Sequence, residues 1–273
     1  MVHVTSWRPD LVALDVDGTI IGSEGVISPA VRAAIDRVLA AGAHVVLSTG
    51  RTALGLRSVL DELALSNGVA LCSNGAVRLE LTTGVLTELA TFDPKPVVQL
   101  LRKLIPGGEF SMEEPGRGNR VSSGYPKWSL TGTNREVDEL ELVGSPTTRL
   151  VAHWAGMTQL ELAEVLLEHQ LPEVTWTLDH GQDAWLTVVG EGISKASALE
   201  QVRVELGVSP LDTIAFGDGH NDIAMLRWAA RGVAMGNASE EVRAAADEVT
   251  ATVAEDGVAR VLDQLFPEPG GTV

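Results

Sequence analysis

Apolar residues fall in short runs along the first third of the chain, each bounded by turn or capping residues. Leu11–Leu14 is too short for a helix and reads as a buried strand. Ser28-Pro29 then opens a helix, with serine as N-cap and proline at the first helical position; it runs to about Ala41 and stops at Gly42. His44–Ser48 reads as the next strand, Thr52–Leu63 as the next helix and Val69–Cys72 as a third strand. The same alternation returns after Gly192. Ser194 caps a helix over Lys195–Leu206, followed by strand Thr213–Phe216, helix Asn221–Ala229, strand Gly232–Met235 and helices Glu240–Ala246 and Glu255–Leu265. Short apolar strands alternating with helices predict a parallel sheet covered on both faces.

The middle of the chain breaks this rhythm. From Thr82-Thr83-Gly84 to about Thr187 the strands are more polar and turn residues crowd in, with Pro115, Gly116, Gly118 and Gly124 close together. Thr148–Trp154 reads as a strand, Thr158-Gln159-Leu160-Glu161 as a capping box opening a helix to about His169, and Val174–Leu178 and Ala184–Val188 as paired strands. Four of the six tryptophans lie here. The segment is expected to be an inserted α+β domain, dividing the chain into 1–82, 83–187 and 188–273. No repeat or low-complexity stretch stands out, and the tail Pro267–Val273 is expected to fray.

Composition narrows the partners. The 273 residues are 45% hydrophobic, ample for a core, and carry a net charge of −17. Such a chain is not expected to bind nucleic acid or an anionic membrane. It also does not draw anionic substrates from afar, so a phosphate site would need a metal and cations of its own. The one cysteine, Cys72, rules out an intrachain disulfide and reads as a small buried strand residue. No signal-like start and no apolar run of about 20 residues are present. The expectation is a soluble cytoplasmic protein, a monomer or homodimer.

Candidate chemistry sits where strands end. Asp15-Val16-Asp17-Gly18-Thr19 follows the first strand and Gly217-Asp218-Gly219-His220-Asn221-Asp222 follows Thr213–Phe216. In open α/β sheets, ligands bind outside the carboxyl ends of the strands. Four carboxylates (Asp15, Asp17, Asp218 and Asp222) converging on one crevice call for a hard cation between them, and Mg²⁺ is the expected one. Asp15 suits a covalent nucleophile toward phosphorus, and Asp17 suits the acid and base around it. Ser48-Thr49-Gly50-Arg51 offers a hydroxyl and backbone amides at a helix N-terminus, so Thr49 and Gly50 would cradle a phosphoryl group while Arg51 binds substrate or pairs with an acid. Lys195 opens a helix, where the macrodipole disfavours it, which hints at a role in neutralising the phosphoryl charge. Asp222 would ligate the metal through water or hold Lys195, and Asn221 would touch phosphate or orient its loop. Taken singly, Thr49, Arg51 and Lys195 each also fit an ordinary cap or surface side chain; their common frame lends them weight. Asn74, in Ser73-Asn74-Gly75-Ala76, reads as either a hinge touching substrate or a plain turn.

These segments, together with Gly192-Ile193-Ser194-Lys195, Gly232–Ala238 and Glu255–Ala259, resemble the haloacid dehalogenase-like phosphohydrolase superfamily, in its Cof-type, sugar-phosphatase-like branch with a type IIB cap. The resemblance covers nearly the whole chain. It implies an α/β fold, a Rossmann-like doubly wound parallel-sheet core with an inserted α+β cap domain. It implies a Mg²⁺-dependent phosphatase acting on a small phosphorylated metabolite, a sugar phosphate above others, through an aspartyl-phosphate. Asp15 would be nucleophile and metal ligand, Asp17 acid/base with its carbonyl on the metal, Thr49 and Lys195 phosphoryl ligands, and Asp218 a metal ligand supported by Asp222 and Asn221. Ala196 departs from the pattern, since many members have glycine there. A phosphotransferase or mutase on the same site, and a non-catalytic ligand-binding protein, are the alternatives. Substrate choice is expected in the cap, with Glu113, Glu114, Arg117, Lys127, Trp128, His153, His180 and Asp183 as candidates.

Overall fold

In the computed structural model, residues 7–179 and 181–268 are described. Of the tail Pro267–Val273 expected to fray, residues 269–273 lie outside them, as does the candidate His180. The chain opens with β1 (Leu11–Leu14), α1 (Pro29–Ala40), β2 (His44–Ser48), α2 (Ala53–Glu62), β3 (Val69–Cys72), β4 (Val77–Glu80) and β5 (Leu86–Glu88). A second unit follows: α3 (Pro94–Leu104), β6 (Glu109–Glu114), β7 (Gly118–Val121), β8 (Thr133–Glu136), α4 (Glu139–Leu142), β9 (Arg149–Trp154), α5 (Gln159–Glu168), β10 (Val174–Asp179) and β11 (Ala184–Gly190). The chain then returns through α6 (Lys195–Glu205), β12 (Thr213–Gly217), α7 (Ile223–Trp228), β13 (Arg231–Ala234), α8 (Glu240–Ala244), β14 (Glu248–Val249) and α9 (Gly257–Leu265). Among these helices none is long and apolar enough to cross a membrane.

The first sheet has the order β14-β13-β12-β1-β2-β3-β4-β5. It is parallel from β14 to β3, as the alternation predicts, and it ends in an antiparallel β3-β4-β5 edge that the reading did not anticipate. The signal was there: Val77-Arg78-Leu79-Glu80 alternates at period two and Gly84 turns the chain at positive φ. The expected division at residue 82 therefore falls in the loop between two strands of one sheet, and that at 187 falls within β11. The chain crosses between sheets after Glu88 and after Gly190.

Side-chain parity fixes what each face packs against. Val12 and Leu14 of β1 point, with Phe216 and Val233, onto Val31, Ile35 and Val38 of α1 and Val258 and Leu262 of α9. Leu11 and Ala13 point the other way, onto Ala198, Leu199 and Val202 of α6 and Met225 of α7. Continuing the alternation, Asp15 follows Leu11 and Ala13 to the α6 side, where Lys195 begins its helix. Ser194 caps α6 by accepting from Ser197 N–H, and its own N–H is returned to Ser197 Oγ.

The inserted unit is one sheet, β10-β11-β9-β6-β7-β8, antiparallel except for β7 beside β8. Phe110, Met112, Leu150, Ala152, Leu186 and Val188 face α3 and α5. Their neighbours in sequence (Ser111, Glu113, Arg149, Val151, Trp185 and Thr187 among them) belong to the opposite face. That face meets the ends of the parallel strands.

Candidate active site

β1 lies between β12 and β2, and all four of its residues are fully buried. The chain leaves the ladder at Asp15, whose N–H donates to Phe216 O at 3.0 Å. Gly18, at φ +83°, closes the following turn through its N–H to Ile21 O at 2.8 Å. A Cβ on Gly18 would fall 2.1 Å from Asp218 Oδ2, so only glycine lets this turn come so near the second acidic loop.

Asp15, Asp218 and Asp222 each bring a carboxylate oxygen within 4.8 Å of the others. Lys195, 1% exposed, donates to Asp15 Oδ1 and to Asp222 Oδ1, both at 2.6 Å. Asp222 Oδ2 accepts from the N–H groups of Asp218 and Gly219 at 3.0 and 2.9 Å, which folds the loop around it. Burial foremost, then the charge of Asp222 against the opposing pull of Lys195, lifts the Asp15 carboxyl from its ordinary value to about 7. Burial and Asp222 likewise lift Asp218 to about 6. Burial by itself would lower the Lys195 ammonium, but Asp15 and Asp222 outweigh it and hold it above its usual value. Three acids against one buried lysine leave an excess of negative charge in an all-oxygen donor set. That chemistry fits a small hard cation.

The other expected residues divide. Thr49 is buried, accepts from Arg51 N–H at 3.1 Å through Oγ1, and with Gly50 and Arg51 lines a cavity of about 390 Å³ together with Asp15, Asp17, Asn74, Asp218 and Asn221. Asn221 Nδ2 donates to Asn74 Oδ1 at 3.0 Å, so these two approach as a pair. Asp17 is not part of the carboxylate cluster. Its half-exposed side chain receives Arg51 through Nε at 2.8 Å and Nη2 at 2.6 Å, so three acids converge where four were expected. Lys195 and Asp222 lie beneath the cavity rather than on its wall. Cys72 is fully buried, and burial together with Glu113 drives its thiol upward, away from nucleophilic use.

Two supporting residues escaped the sequence reading of roles. Thr19, fully buried, donates to Asp15 Oδ2 at 3.2 Å and reaches Asp218 Oδ1 at 3.4 Å. Asn237 ties Gly18 O and Asp218 Oδ2 through Nδ2, at 2.9 and 3.1 Å. The inserted unit contributes Arg149, Val151, Leu178, Asp179, Trp185 and Thr187 of its sheet, and Tyr125 and Leu130 of the β7–β8 connection, to the cavity. None of the cap candidates drawn from the sequence that are described lines this cavity. His153 instead packs beside Trp185, ring centroids 4.3 Å apart and planes tilted by 37°, with its ring nitrogens 2.9 Å from Glu109 and 3.2 Å from Asp183.

Gly75 joins this centre to α6. At φ +95°, a Cβ there would sit 2.4 Å from the Ser194 carbonyl oxygen, immediately before Lys195. Gly75→Ala is expected to destabilise the protein by about 2–4 kcal/mol from strain plus overpacking. Urea unfolding measures this, and a loss under about 1 kcal/mol would mean the contact relaxes freely.

A sequence model of the haloacid dehalogenase-like hydrolases matches residues 12–112 and 133–262. A Haemophilus influenzae protein described as a putative phosphatase is 28% identical over 93% of this chain and 97% of its own. A Bacillus subtilis 5-amino-6-(5-phospho-D-ribitylamino)uracil phosphatase is 30% identical over 92% and 94%. A solved Bacteroides thetaiotaomicron phosphatase of the haloalkanoate superfamily covers 97% of this chain and 98% of its own, at 26% identity and a TM-score of 0.80. A subclass IIB sugar phosphatase structure covers 93% and 98%, at 25% identity and a TM-score of 0.77. With the strand-end acids, the buried lysine and the inserted cap already in view, the chain belongs to the haloacid dehalogenase-like hydrolases.

Proposed function

We propose that this enzyme is a Mg²⁺-dependent phosphatase that releases phosphate from a small phosphorylated metabolite through an aspartyl-phosphate, the acyl phosphate of Asp15. The observation that carries the reading is the buried Asp222–Lys195–Asp15 chain under the cavity, which holds one carboxylate of a compact acidic cluster at the cavity wall. Asp15 and Asp218 would hold the cation, with the Asp17 carbonyl. Asp222, whose two oxygens already accept from Lys195 and two backbone amides, would act by holding those groups. The cation, when bound, offsets the negative charge of the phosphate and of the acids around it.

The steps follow from the residues. Thr49, Gly50 and the loop amides hold the phosphoryl group in line with Asp15. An Asp15 oxygen attacks phosphorus and the bond to the leaving oxygen breaks, while Asp17, turned from Arg51 and carrying a proton taken from solvent, gives that oxygen the proton. A water then attacks phosphorus, Asp17 takes its proton, and orthophosphate leaves with Asp15 restored. The cap roof, with Arg149, Val151, Trp185 and Thr187, excludes bulk water and contacts the leaving group. Sugar phosphates head the substrate expectation, and the subclass IIB sugar phosphatase neighbour supports it. Relatives named for 5-amino-6-(5-phospho-D-ribitylamino)uracil and pyridoxal phosphate widen the panel worth testing.

The test is orthophosphate release from a panel of phosphorylated sugars, cofactors and nucleotides, with Mg²⁺ and with EDTA. Release that needs Mg²⁺ is the expected result, and the substrate ranking names the class. Isomerisation without release would replace this reading with a mutase, and binding without turnover would replace it with a ligand-binding protein.

A further inference from the structure

One buried carboxylate lies outside the acidic cluster yet reaches two of the loops around it. Glu113 sits on β6, on the sheet face turned away from α3, and is 3% exposed. Its Oε2 accepts from Ser73 Oγ at 2.5 Å and from Thr148 Oγ1 at 3.3 Å, and Arg149 Nε lies 3.5 Å away. Ser73 belongs to the core, so the first of these bonds crosses from cap to core. Arg149 makes a second crossing: its Nη1 donates to the carbonyl of Gly50.

Both landing points belong to segments that line the cavity. Ser73 and Asn74 hold positive φ, 53° and 55°, a strained run that needs support from its surroundings. The run is bonded to the neighbouring loop, with Ser73 N–H on Arg51 O at 2.8 Å and Asn74 N–H on Thr49 O at 3.0 Å. Asn74 in turn meets Asn221. One cap carboxylate thus grips the Ser73–Asn74 turn directly and the Thr49–Arg51 loop through Arg149. A buried acid is expensive to keep unless its partners need it. An apolar residue would fill the space between sheet and core as well, but would leave both loops without their partner.

We propose that Glu113 is a positioning residue: it couples seating of the cap to the arrangement of the Thr49–Arg51 and Ser73–Asn74 loops that receive the phosphoryl group. The proposal rests on the phosphatase reading of the cavity and adds to it a residue that touches no substrate. Seating the cap sheet on the core completes both loops, through Glu113 of β6 and Arg149 of β9; lifting the sheet frees Ser73 and Gly50 together.

The test uses Ser73→Ala, Glu113→Gln and the double variant, read by calorimetric affinity for inorganic phosphate with Mg²⁺, by kcat and KM on the best substrate of the panel, and by melting temperature. Losing one hydrogen bond to a charged group is expected to weaken phosphate affinity and kcat about tenfold in each single variant. The double variant is expected to fall no further than the worse single one, because both act through one link. Phosphate affinity and kcat within about twofold of wild type in both single variants would overturn the proposal, as would multiplying losses in the double. A fall in melting temperature alone would make Glu113 a purely structural residue. If Glu113→Gln does not fold, Ser73→Ala, which removes one oxygen, reads the same link. If wild type binds phosphate but hydrolyses no substrate, the phosphatase reading fails while phosphate affinity still decides on Glu113. If wild type does neither, both fall together.

Discussion

Asp15→Asn is expected to lower phosphate release by a factor on the order of 10⁴ or more while the protein stays folded. The amide cannot form the acyl phosphate on which the proposed reaction depends. It can keep the local geometry, because Asn Oδ1 still accepts from Lys195 Nζ, now 2.6 Å from the Asp15 carboxylate, and the fully buried Thr19 can still donate nearby. The substitution also removes a charge from a crowded, buried centre, so without metal the variant should melt no lower than wild type. Inorganic phosphate should still bind, since Thr49 and Gly50 are untouched. The measurements are initial rates, calorimetric phosphate affinity and melting temperature on the same preparation. A folded variant that keeps more than about one hundredth of the wild-type rate would move the nucleophile elsewhere.

The frame that presents Asp15 is legible from apolar runs, because a strand buried on both faces leaves no room for polar residues. Val69–Cys72 and Leu11–Leu14 emerge with the expected bounds. Helix ends are legible where capping chemistry is local, as at Ser28 and Ser194. The acidic loops are visible because Asp-rich turns after buried strands have little structural use. The cap is less open to such reading. Its sheet packs helices on one face and turns polar residues toward the core loops and the cavity on the other, so its signal is period-two alternation, and prominent polar residues draw attention away from it. Applied to Arg149–Trp154 and Ala184–Gly190, that alternation would have marked Arg149, Val151, Trp185 and Thr187 as one face. Glu113 stands among the sequence candidates as a substrate contact but turns toward Ser73 instead, 40 residues away in the chain. No local pattern carries that information, and the same holds for Asn237 reaching back to Gly18 across 219 residues.

Lys195→Met is expected to destabilise the metal-free protein by about 3–5 kcal/mol at neutral to alkaline pH, and to abolish turnover. Methionine is close to lysine in length and shape, so the loss is one of charge rather than volume. In wild type the ammonium is fully buried and touches Asp15 and Asp222, itself 0% exposed. Removing it leaves two buried carboxylates facing each other, with Asp218 close by. The sign of the pH dependence follows. The folded lysine titrates above its usual value of 10.5, so its contribution is complete below that pH and constant across the working range. Asp15 already titrates at about 7 with Lys195 lowering it, and without the lysine it must climb higher. Because that folded value exceeds the unfolded one, the extra loss grows as pH rises above about 7 and shrinks as the variant takes up a proton at lower pH. Urea unfolding in EDTA at several pH values reads the gap between the two proteins. A gap that is small and independent of pH would mean that Asp15 and Asp222 do not depend on Lys195 for their charge, and the buried chain would lose its place at the centre of the proposed mechanism.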